Sequence, residues 1–399
     1  MNSKIDSTKM FSYLIGAFPL LTVYTSPLPG FDLATFLLMI FMIYQAAVVG
    51  KIRVADRIPM AWWFLYVALM SGISFLVQMV IPAGFPVSMG AEIPRFCKFL
   101  LFIGGVTVLA YAGRFSIEEC LKAVRAIVHL SFWIVILQQG VWLIFRYEIT
   151  NPLMILYHHP EYMQAARVSG SFLRPAALFY EPSHLSQYCL IYLCFVLFGY
   201  KERLQMPELI KTLLTIFLTG SGIGIMGAAA MVAYWALTSR RMTIKRLMII
   251  VGGLVAVACI LNTDYFQFVL ARIFTKNIAY GGNAVVARWG KGIDFWLELP
   301  AIYKLIGTGF GNVNPSGYIN GFGCMLNGTG LMGTAVFYAM VCATIRRCGS
   351  RWRKLLLLSY VVLMFGSSNF YVNDFVIYLL MSGCYMSTGI RNRVRSAEY

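Results

Sequence analysis

Charged side chains are scarce in this sequence, and acidic ones are the scarcest. Only 12% of the 399 residues are charged, with 16 Asp and Glu against 33 Lys and Arg, whereas 59% are hydrophobic. The mean hydropathy is +0.71. A chain so poor in charge is typical of membrane proteins with several spans rather than of soluble domains. The strict alternation of barrel strands is missing as well, so we expect an all-α membrane fold.

Motifs that would indicate cofactor or metal chemistry are absent. There is no P-loop, no H-E-x-x-H and no G-x-S-x-G, and the nine cysteines are scattered without metal-ligand spacing. The neighbouring His158 and His159 diverge and have no further spaced ligands. The glycines of "IGTGFGN" at 306–312 follow no βαβ strand, so they predict a tight turn and not a dinucleotide site. We therefore expect neither a metal site nor an organic cofactor.

Long apolar stretches are what the chain has instead. About 20 apolar residues cross the ~30 Å hydrocarbon core of a bilayer as one helix. We expect no cleavable signal peptide, because the first stretch lacks an A-x-A-like site and runs into a second. The pattern predicts twelve spans near 10–27, 31–49, 60–82, 95–112, 125–145, 177–199, 209–220, 222–238, 246–262, 317–345, 355–370 and 373–389.

The loops between these stretches alternate in basicity. By the positive-inside rule the basic loops and both termini are cytoplasmic, and the net charge of +17 follows almost wholly from this topology. Nucleic-acid binding therefore loses its support. The basic loops lie at 51–57, 201–203, 239–246, 346–354 and 391–395.

Two outer loops exceed the length that packed helices need as connectors, so they are candidate functional elements of a single membrane domain over 1–399. The first covers 146–176 and the second 263–316. Within the second, 286–299 is predicted to be a helix that ends at Pro300. One face carries two tryptophans and two aliphatic residues, which suits a helix in the membrane interface. That face consists of Trp289, Ile293, Trp296 and Leu297.

Residues 209–238 lie between two basic loops and must leave and return to the same side. The "TGSGIG" at 219–224 supplies the break, since glycine and serine weaken a helix and permit a tight turn. The sequence leaves open whether this segment forms two spans or a re-entrant hairpin.

The outer face also carries arginines, whose planar fork of donors matches phosphate geometry. Arg174 and Arg288 each lie beside a span, where a lipid-linked substrate would enter. Pairing with acids or contact with lipid headgroups is the alternative reading of such arginines. Glu181 precedes Pro182 at a predicted helix N-terminus, so it is either a helix cap or a general base. His184, one turn further along, could share the role of Glu181.

Three stretches together carry a resemblance to a known family: "RVSGSFLRPAALFYEPSHLSQY", "LTGSGIG" and "ARWGKGIDFWLELPAIYKLIGTGFGN". They resemble bacterial O-antigen and polysaccharide polymerases of the Wzy type, within the grouping that includes O-antigen ligases. The resemblance implies a glycosyltransferase that transfers a glycan from undecaprenyl diphosphate to another lipid-linked repeat unit. It predicts Glu181, Arg174 and Arg288 as catalytic and Arg167 as substrate-binding. Further candidates for substrate binding are the outer-face cations Arg272 and Lys291 and, beside Glu181, His184. The family pattern has a glycine eleven residues after an arginine. Here the positions eleven residues after Arg167 and Arg288 are Leu178 and Leu299.

The same resemblance implies the bacterial inner membrane as location, with the active site facing the periplasm. Implied partners are the lipid-linked oligosaccharide donor and acceptor and the bilayer, with a chain-length regulator and a flippase of the pathway as further candidates. An O-antigen ligase is the first alternative, although its expected histidine is missing from 263–316. A lipid-linked oligosaccharide flippase or other transporter is the second, although the predicted spans carry few charges at mid-depth.

Overall fold

The computed structural model describes residues 6–28, 31–49, 59–84, 97, 115–151, 153–156, 168–169, 172–198, 205–238, 264, 276–277, 282–310, 319–347 and 351–366. These residues are mostly helical. Eleven α-helices are numbered here in chain order: α1 Ser7–Leu21, α2 Leu33–Val49, α3 Pro59–Gln78, α4 Ile117–Phe145, α5 Pro182–Phe198, α6 Met206–Leu218, α7 Gly222–Thr238, α8 Ala284–Glu298, α9 Ala301–Ile306, α10 Gly321–Arg347 and α11 Arg351–Gly366.

Extended backbone in the described residues is confined to short pairings. Strands β1 (Val168–Ser169) and β2 (Phe172–Leu173) form one antiparallel ladder. Strands β3 (Lys276–Asn277) and β4 (Gly282–Asn283) form another. Ladders of two residues cannot supply a sheet core, so helix packing provides the core of the described chain.

Two helices in the described part are long and apolar enough to cross a membrane. They are α4 and the Gly321–Ala343 stretch of α10. The apolar window of α4 is 33% buried, whereas that of α10 is 67% buried. Much of α4 therefore presents apolar side chains outward, including Trp133 and Leu137. By length and composition two such helices indicate a membrane protein, although buried helices of soluble proteins share both properties.

Each predicted span within the described residues coincides with a helix. The spans near 95–112, 246–262 and 373–389 lie outside those residues, apart from position 97. The first span is shorter than predicted, because α1 ends at Leu21 and an antiparallel bridge joins Thr25 to Asp32. The crossing of a bilayer by these helices, and their number in the whole chain, stay predictions.

The chain divides into two compact units. The first comprises residues 1–123 and 288–399, and the second comprises residues 124–287. Helix α4 continues from the first unit into the second, and α8 continues from the second into the first. The two units are described separately below.

In the first unit, two glycine-dependent breaks lie against each other. Gly307, at φ 82°, ends α9, and Gly330, at φ 67°, interrupts α10. A Cβ on Gly307 would lie 2.3 Å from the Gly328 carbonyl oxygen, so no larger side chain fits. The amide of Thr308 donates to the Asn327 carbonyl at 2.9 Å. The "IGTGFGN" stretch thus contains a tight turn packed on a helix break.

Helix α8 packs through the side that carries Gly292. A Cβ on Gly292 would lie 2.9 Å from the Cα of Gly323, and the Asn327 amide donates to the Gly292 carbonyl at 2.8 Å. Trp296 packs near Tyr303. Gly292 and Trp296 are four residues apart, on one face of α8, so this tryptophan of the predicted apolar face takes part in the packing. Leu297 is 55% exposed, and the place of α8 in the membrane interface stays a prediction.

In the second unit, hydrogen bonds fix the directions of three helices. Arg125 near the start of α4 bonds Glu208 at the start of α6, and Gln139 further along α4 bonds Leu218 at the end of α6. Tyr192, late in α5, also bonds Glu208. Helices α4 and α6 therefore run in the same direction and α5 runs in the opposite one.

The break predicted at "TGSGIG" is present. Helix α6 ends at Leu218 and α7 begins at Gly222, with Gly220 between them at φ 59°. The 13 residues of α6 extend about 20 Å at 1.5 Å per residue, which is less than the hydrocarbon thickness of a bilayer. A Cβ on Gly224 would lie 2.4 Å from the Cβ of Ser186, so α7 packs closely on α5.

Candidate active site

The segment of residues 173–181 joins β2 to α5 and carries two of the predicted catalytic residues. Its first five residues are all buried, and Arg174 among them is only 8% exposed. A buried guanidinium needs charged or hydrogen-bonding neighbours, because desolvation of an isolated charge is very unfavourable. Arg174 is therefore held inside the protein at the start of this segment, and is not a surface arginine.

Two adjacent glutamines of α4 hold the same segment by its backbone. The amide nitrogen of Gln139 donates to the Leu173 carbonyl at 3.1 Å and to the Leu218 carbonyl at 3.2 Å. The side-chain oxygen of Gln138 accepts the N–H of Ala177 at 3.2 Å, and its nitrogen donates to the Ile149 carbonyl at 3.0 Å. Both ends of the stretch 173–177 are thus fixed to α4.

The backbone turns sharply at Ala177. Ala177 has φ 48°, in the left-handed region that L-residues rarely adopt, and its side chain is buried. The amide of Phe179 donates to the Ala176 carbonyl at 2.9 Å and closes the turn. A strained turn of this kind persists only where its surroundings determine it.

Glu181 stands immediately before α5, as the sequence predicts. Its carbonyl accepts the N–H groups of His184 at 3.1 Å and Leu185 at 3.3 Å, and Pro182 occupies the first helical position. Its carboxylate accepts a hydrogen bond from the Ser183 hydroxyl at 2.8 Å. The side chain is half-buried at the N-terminus of α5.

The remaining predicted site residues fall into two groups. His184 lies in the first turn of α5 beside Glu181 and is half-buried. Arg288 and the half-buried Lys291 lie in α8, in the first unit. Arg167 and Arg272 lie outside the described residues. The structure therefore brings Arg174, Glu181 and His184 onto one short segment, and the joint action of Arg174 and Arg288 stays a prediction.

A buried polar cluster at the other end of α4–α6 was missed by the sequence reasoning. Glu208 is 6% exposed and accepts hydrogen bonds from Arg125 at 3.0 Å, from Tyr192 at 2.7 Å and from His129. Arg125 and His129 are four residues apart, which places them on one face of α4. The sequence signal for this cluster was the pair of basic residues on one face of α4 with no acid between them.

The chemistry available at residues 173–181 combines an anion binder with a proton acceptor. A buried arginine offers two parallel N–H donors to a phosphate, and charge-assisted bonds of this kind are about twice as strong as neutral ones. A half-buried carboxylate held by a serine hydroxyl can accept a proton from a substrate hydroxyl. Such a pair fits the transfer of a group from a phosphate to an alcohol.

The sequence matches no protein-family model. No curated protein matches it.

Proposed function

We propose that this protein is a polysaccharide polymerase, a membrane glycosyltransferase that joins lipid-linked repeat units. The observation that carries the proposal is the segment of residues 173–181, which holds a buried arginine and a carboxylate at a helix N-terminus within eight residues of each other. The resemblance of this segment to polymerases of the Wzy type supports the same reading. The outward apolar face of α4 supports a membrane location.

In the proposed reaction, the donor is a glycan on undecaprenyl diphosphate and the acceptor is a second lipid-linked repeat unit. The acceptor hydroxyl oxygen forms a bond to the anomeric carbon of the donor, and the bond from that carbon to the diphosphate oxygen breaks. Arg174 binds the diphosphate and stabilises the negative charge that develops on the leaving oxygen. Glu181 accepts the hydroxyl proton, and undecaprenyl diphosphate is released.

Glu181 is suited to this role by its surroundings. A general base must reach the proton it removes, and a half-buried carboxylate at the start of α5 is open on one side. The Ser183 hydroxyl holds one carboxylate oxygen, which orients the other. His184 is proposed as a sugar ligand, and the roles of Arg288 and Lys291, on α8 in the first unit, stay predictions from the sequence.

The basic loops favour the bacterial inner membrane, with the chain ends in the cytoplasm and the proposed site at the periplasmic face. The opposed directions of α4 and α5 fit consecutive crossings. At that face the proposed partners are the lipid-linked donor and acceptor, together with a chain-length regulator and a flippase of the same pathway.

A transporter is the second candidate, because Glu208 forms a buried ionic cluster between helices. Ionisable groups inside a helical membrane bundle often belong to ion or proton pathways. The cluster lies in the first turn of α6, at an end of the helices, and one of its members, Arg125, is 51% exposed. A position so close to a helix end fits a structural contact better than a transport site at mid-membrane.

Deletion of the gene, followed by gel analysis of lipopolysaccharide, tests the proposal. Loss of a polymerase leaves the lipid A core with a single repeat unit. Loss of a ligase leaves bare core and polymer on the lipid carrier, and loss of a flippase leaves bare core with single units on the carrier. Restoration of the ladder by the wild-type gene is the matched control. Either bare-core result would overturn the polymerase proposal.

A further inference from the structure

Gln138 and Gln139 contact the candidate site only through its backbone. Between them they bind the carbonyl of Leu173 and the amide of Ala177, the two residues that bracket the stretch containing Arg174. Gln138 is 2% exposed, so these are interior contacts. Neither glutamine was selected by the sequence reasoning, because an amide side chain within an apolar helix carries no charge signal.

The two glutamines perform different tasks. The side chains of consecutive helical residues point about 100° apart, so two neighbouring glutamines can bond different parts of the chain. Gln139 uses only donors, and connects residues 173–177 to the end of α6 at Leu218. Gln138 uses both ends of its amide, and connects Ala177 to the backbone of Ile149. Together they tie the segment to two other parts of the second unit.

The left-handed backbone at Ala177 makes this contact informative. A strained L-residue is retained only where neighbouring contacts fix it, and the Gln138 oxygen bonds the N–H of that same residue. The conformation of Ala177 sets the direction in which the chain leaves Arg174 and reaches Glu181. Loss of the contact should therefore alter the position of Arg174 relative to Glu181.

We infer that Gln138 and Gln139 are positioning residues, which hold the backbone of residues 173–177 so that Arg174 meets the diphosphate of the donor. The inference rests on the proposed polymerase function for its chemical consequence, whereas the structural restraint is testable without activity. A displacement of about 1 Å in a catalytic group can reduce a rate by about 10²-fold. Neither glutamine needs to touch substrate to have such an effect.

Hydrogen–deuterium exchange of the full chain in lipid nanodiscs tests the restraint. Gln138→Met and Gln139→Met keep the side-chain length and remove the amide. We expect at least about tenfold faster exchange in peptides covering 173–179 in Gln138→Met, since the Ala177 N–H loses its acceptor, and a smaller increase in Gln139→Met, which releases only carbonyl groups. Gln138→Glu keeps an acceptor oxygen and should preserve most of that protection. Gln45→Met removes another buried glutamine, in α2, and should leave the segment unchanged.

Turnover of purified protein with lipid-linked repeat units tests the consequence. We expect Gln139→Met to lower kcat by about 10-fold to 10²-fold with a smaller change in KM, and Gln45→Met to match the wild type. In an Arg174→Lys background, Gln139→Met should cause little further loss, because residues acting through one another are not additive. Should the methionine variants fail to fold, Gln138→Asn and Gln139→Asn replace them.

The outcomes separate this inference from the proposed function. The positioning role is overturned if exchange in residues 173–179 is the same in the glutamine variants and the wild type. It is also overturned if the kcat losses of Gln139→Met and Arg174→Lys multiply fully in the double variant, even when the wild type forms polymer. If exchange is faster in the glutamine variants but the wild-type protein makes no polymer, the restraint is supported and the polymerase function is rejected. Both proposals are supported if exchange is faster in the glutamine variants and Gln139→Met lowers kcat in the wild type but causes little further loss in the Arg174→Lys background.

Discussion

The hydroxyl of Tyr192 donates a 2.7 Å hydrogen bond to the carboxylate of Glu208, which joins α5 to α6 inside the second unit. Arg125 and His129 bring α4 to the same carboxylate. One buried acid therefore connects three helices at the end opposite to the Gln139–Leu218 contact. The candidate site depends on this arrangement, because α4 supplies Gln138 and Gln139 and α5 begins beside Glu181.

Glu208→Ala should destabilise the protein strongly, because it leaves Arg125, His129 and Tyr192 without their shared acceptor. Removing one partner of a buried pair costs about 3–5 kcal/mol, and we expect the lower end since Arg125 is 51% exposed and water screens it. Tyr192→Phe, which removes one hydrogen bond, should cost about 1 kcal/mol. Thermal unfolding in detergent measures both.

Lys122→Gln, at the exposed lysine of the Lys122–Glu119 pair, is the control for the Glu208 variants, and it should leave Tm unchanged. A Glu208→Ala protein as stable as this control would show that the cluster does not hold the three helices together.

Arg174→Lys should greatly reduce polymer formation while the protein still inserts and folds. Lysine keeps the charge but loses the two-donor fork, and removal of one well-placed donor to a developing oxyanion lowers kcat by about 10²–10³-fold. The measurement is the polymer ladder in deletion cells that carry the variant gene. Arg146→Lys, at an exposed arginine after α4, should keep the wild-type ladder. Full activity of Arg174→Lys would exclude the diphosphate role.

Glu181→Gln should impair chain growth without loss of the helix. Glutamine can still cap α5 and accept from Ser183 but cannot take a proton, and general-base catalysis contributes about 10²–10⁴-fold. Ser183→Ala should produce a smaller loss, since it only releases one carboxylate oxygen. The readout is the rate of polymer formation by purified protein. An unchanged glycan ladder with Glu181→Gln would mean that the carboxylate is only a helix cap.

Ala177→Gly should be less harmful than Ala176→Gly, although both remove a fully buried methyl group. Among the described non-glycine residues, positive φ occurs at Ala177 and Arg146, so Ala176 gains no relief from glycine. The left-handed conformation costs an L-residue about 1–2 kcal/mol, which glycine recovers at Ala177 alone. Thermal unfolding in detergent should therefore rank the Ala177 variant above the Ala176 variant. The reverse order would show that the turn is unstrained.

Helices and their ends were predictable because they follow from local sequence. The α7 bounds match the prediction, and the break before it follows from glycine and serine in "TGSGIG". The start of α5 follows from Pro182, whose ring suits the first helical position. Arg174 and Glu181 were selected from sequence because charges beside an apolar run are conspicuous, and their catalytic roles stay predictions.

The contacts that hold the candidate site were not predictable in the same way. Gln138 meets Ala177 across 39 residues of chain, and Arg125 meets Glu208 across 83. Such pairings depend on how helices pack, and a single sequence contains no direct record of packing. The close approach of α8 to α10 at Gly292 was not predictable for a related reason, since a glycine within a helix gives no hydrophobic signal.

Reconstitution tests the central claim most directly. Purified protein in proteoliposomes, supplied with only the undecaprenyl-diphosphate-linked repeat unit, should form a ladder of lipid-linked polymers. One undecaprenyl diphosphate should be released for each new linkage, and Arg174→Lys should lower the rate of both products by about 10²–10³-fold. A folded wild-type protein that forms no linkage between repeat units, with the substrate recovered intact, would contradict the account.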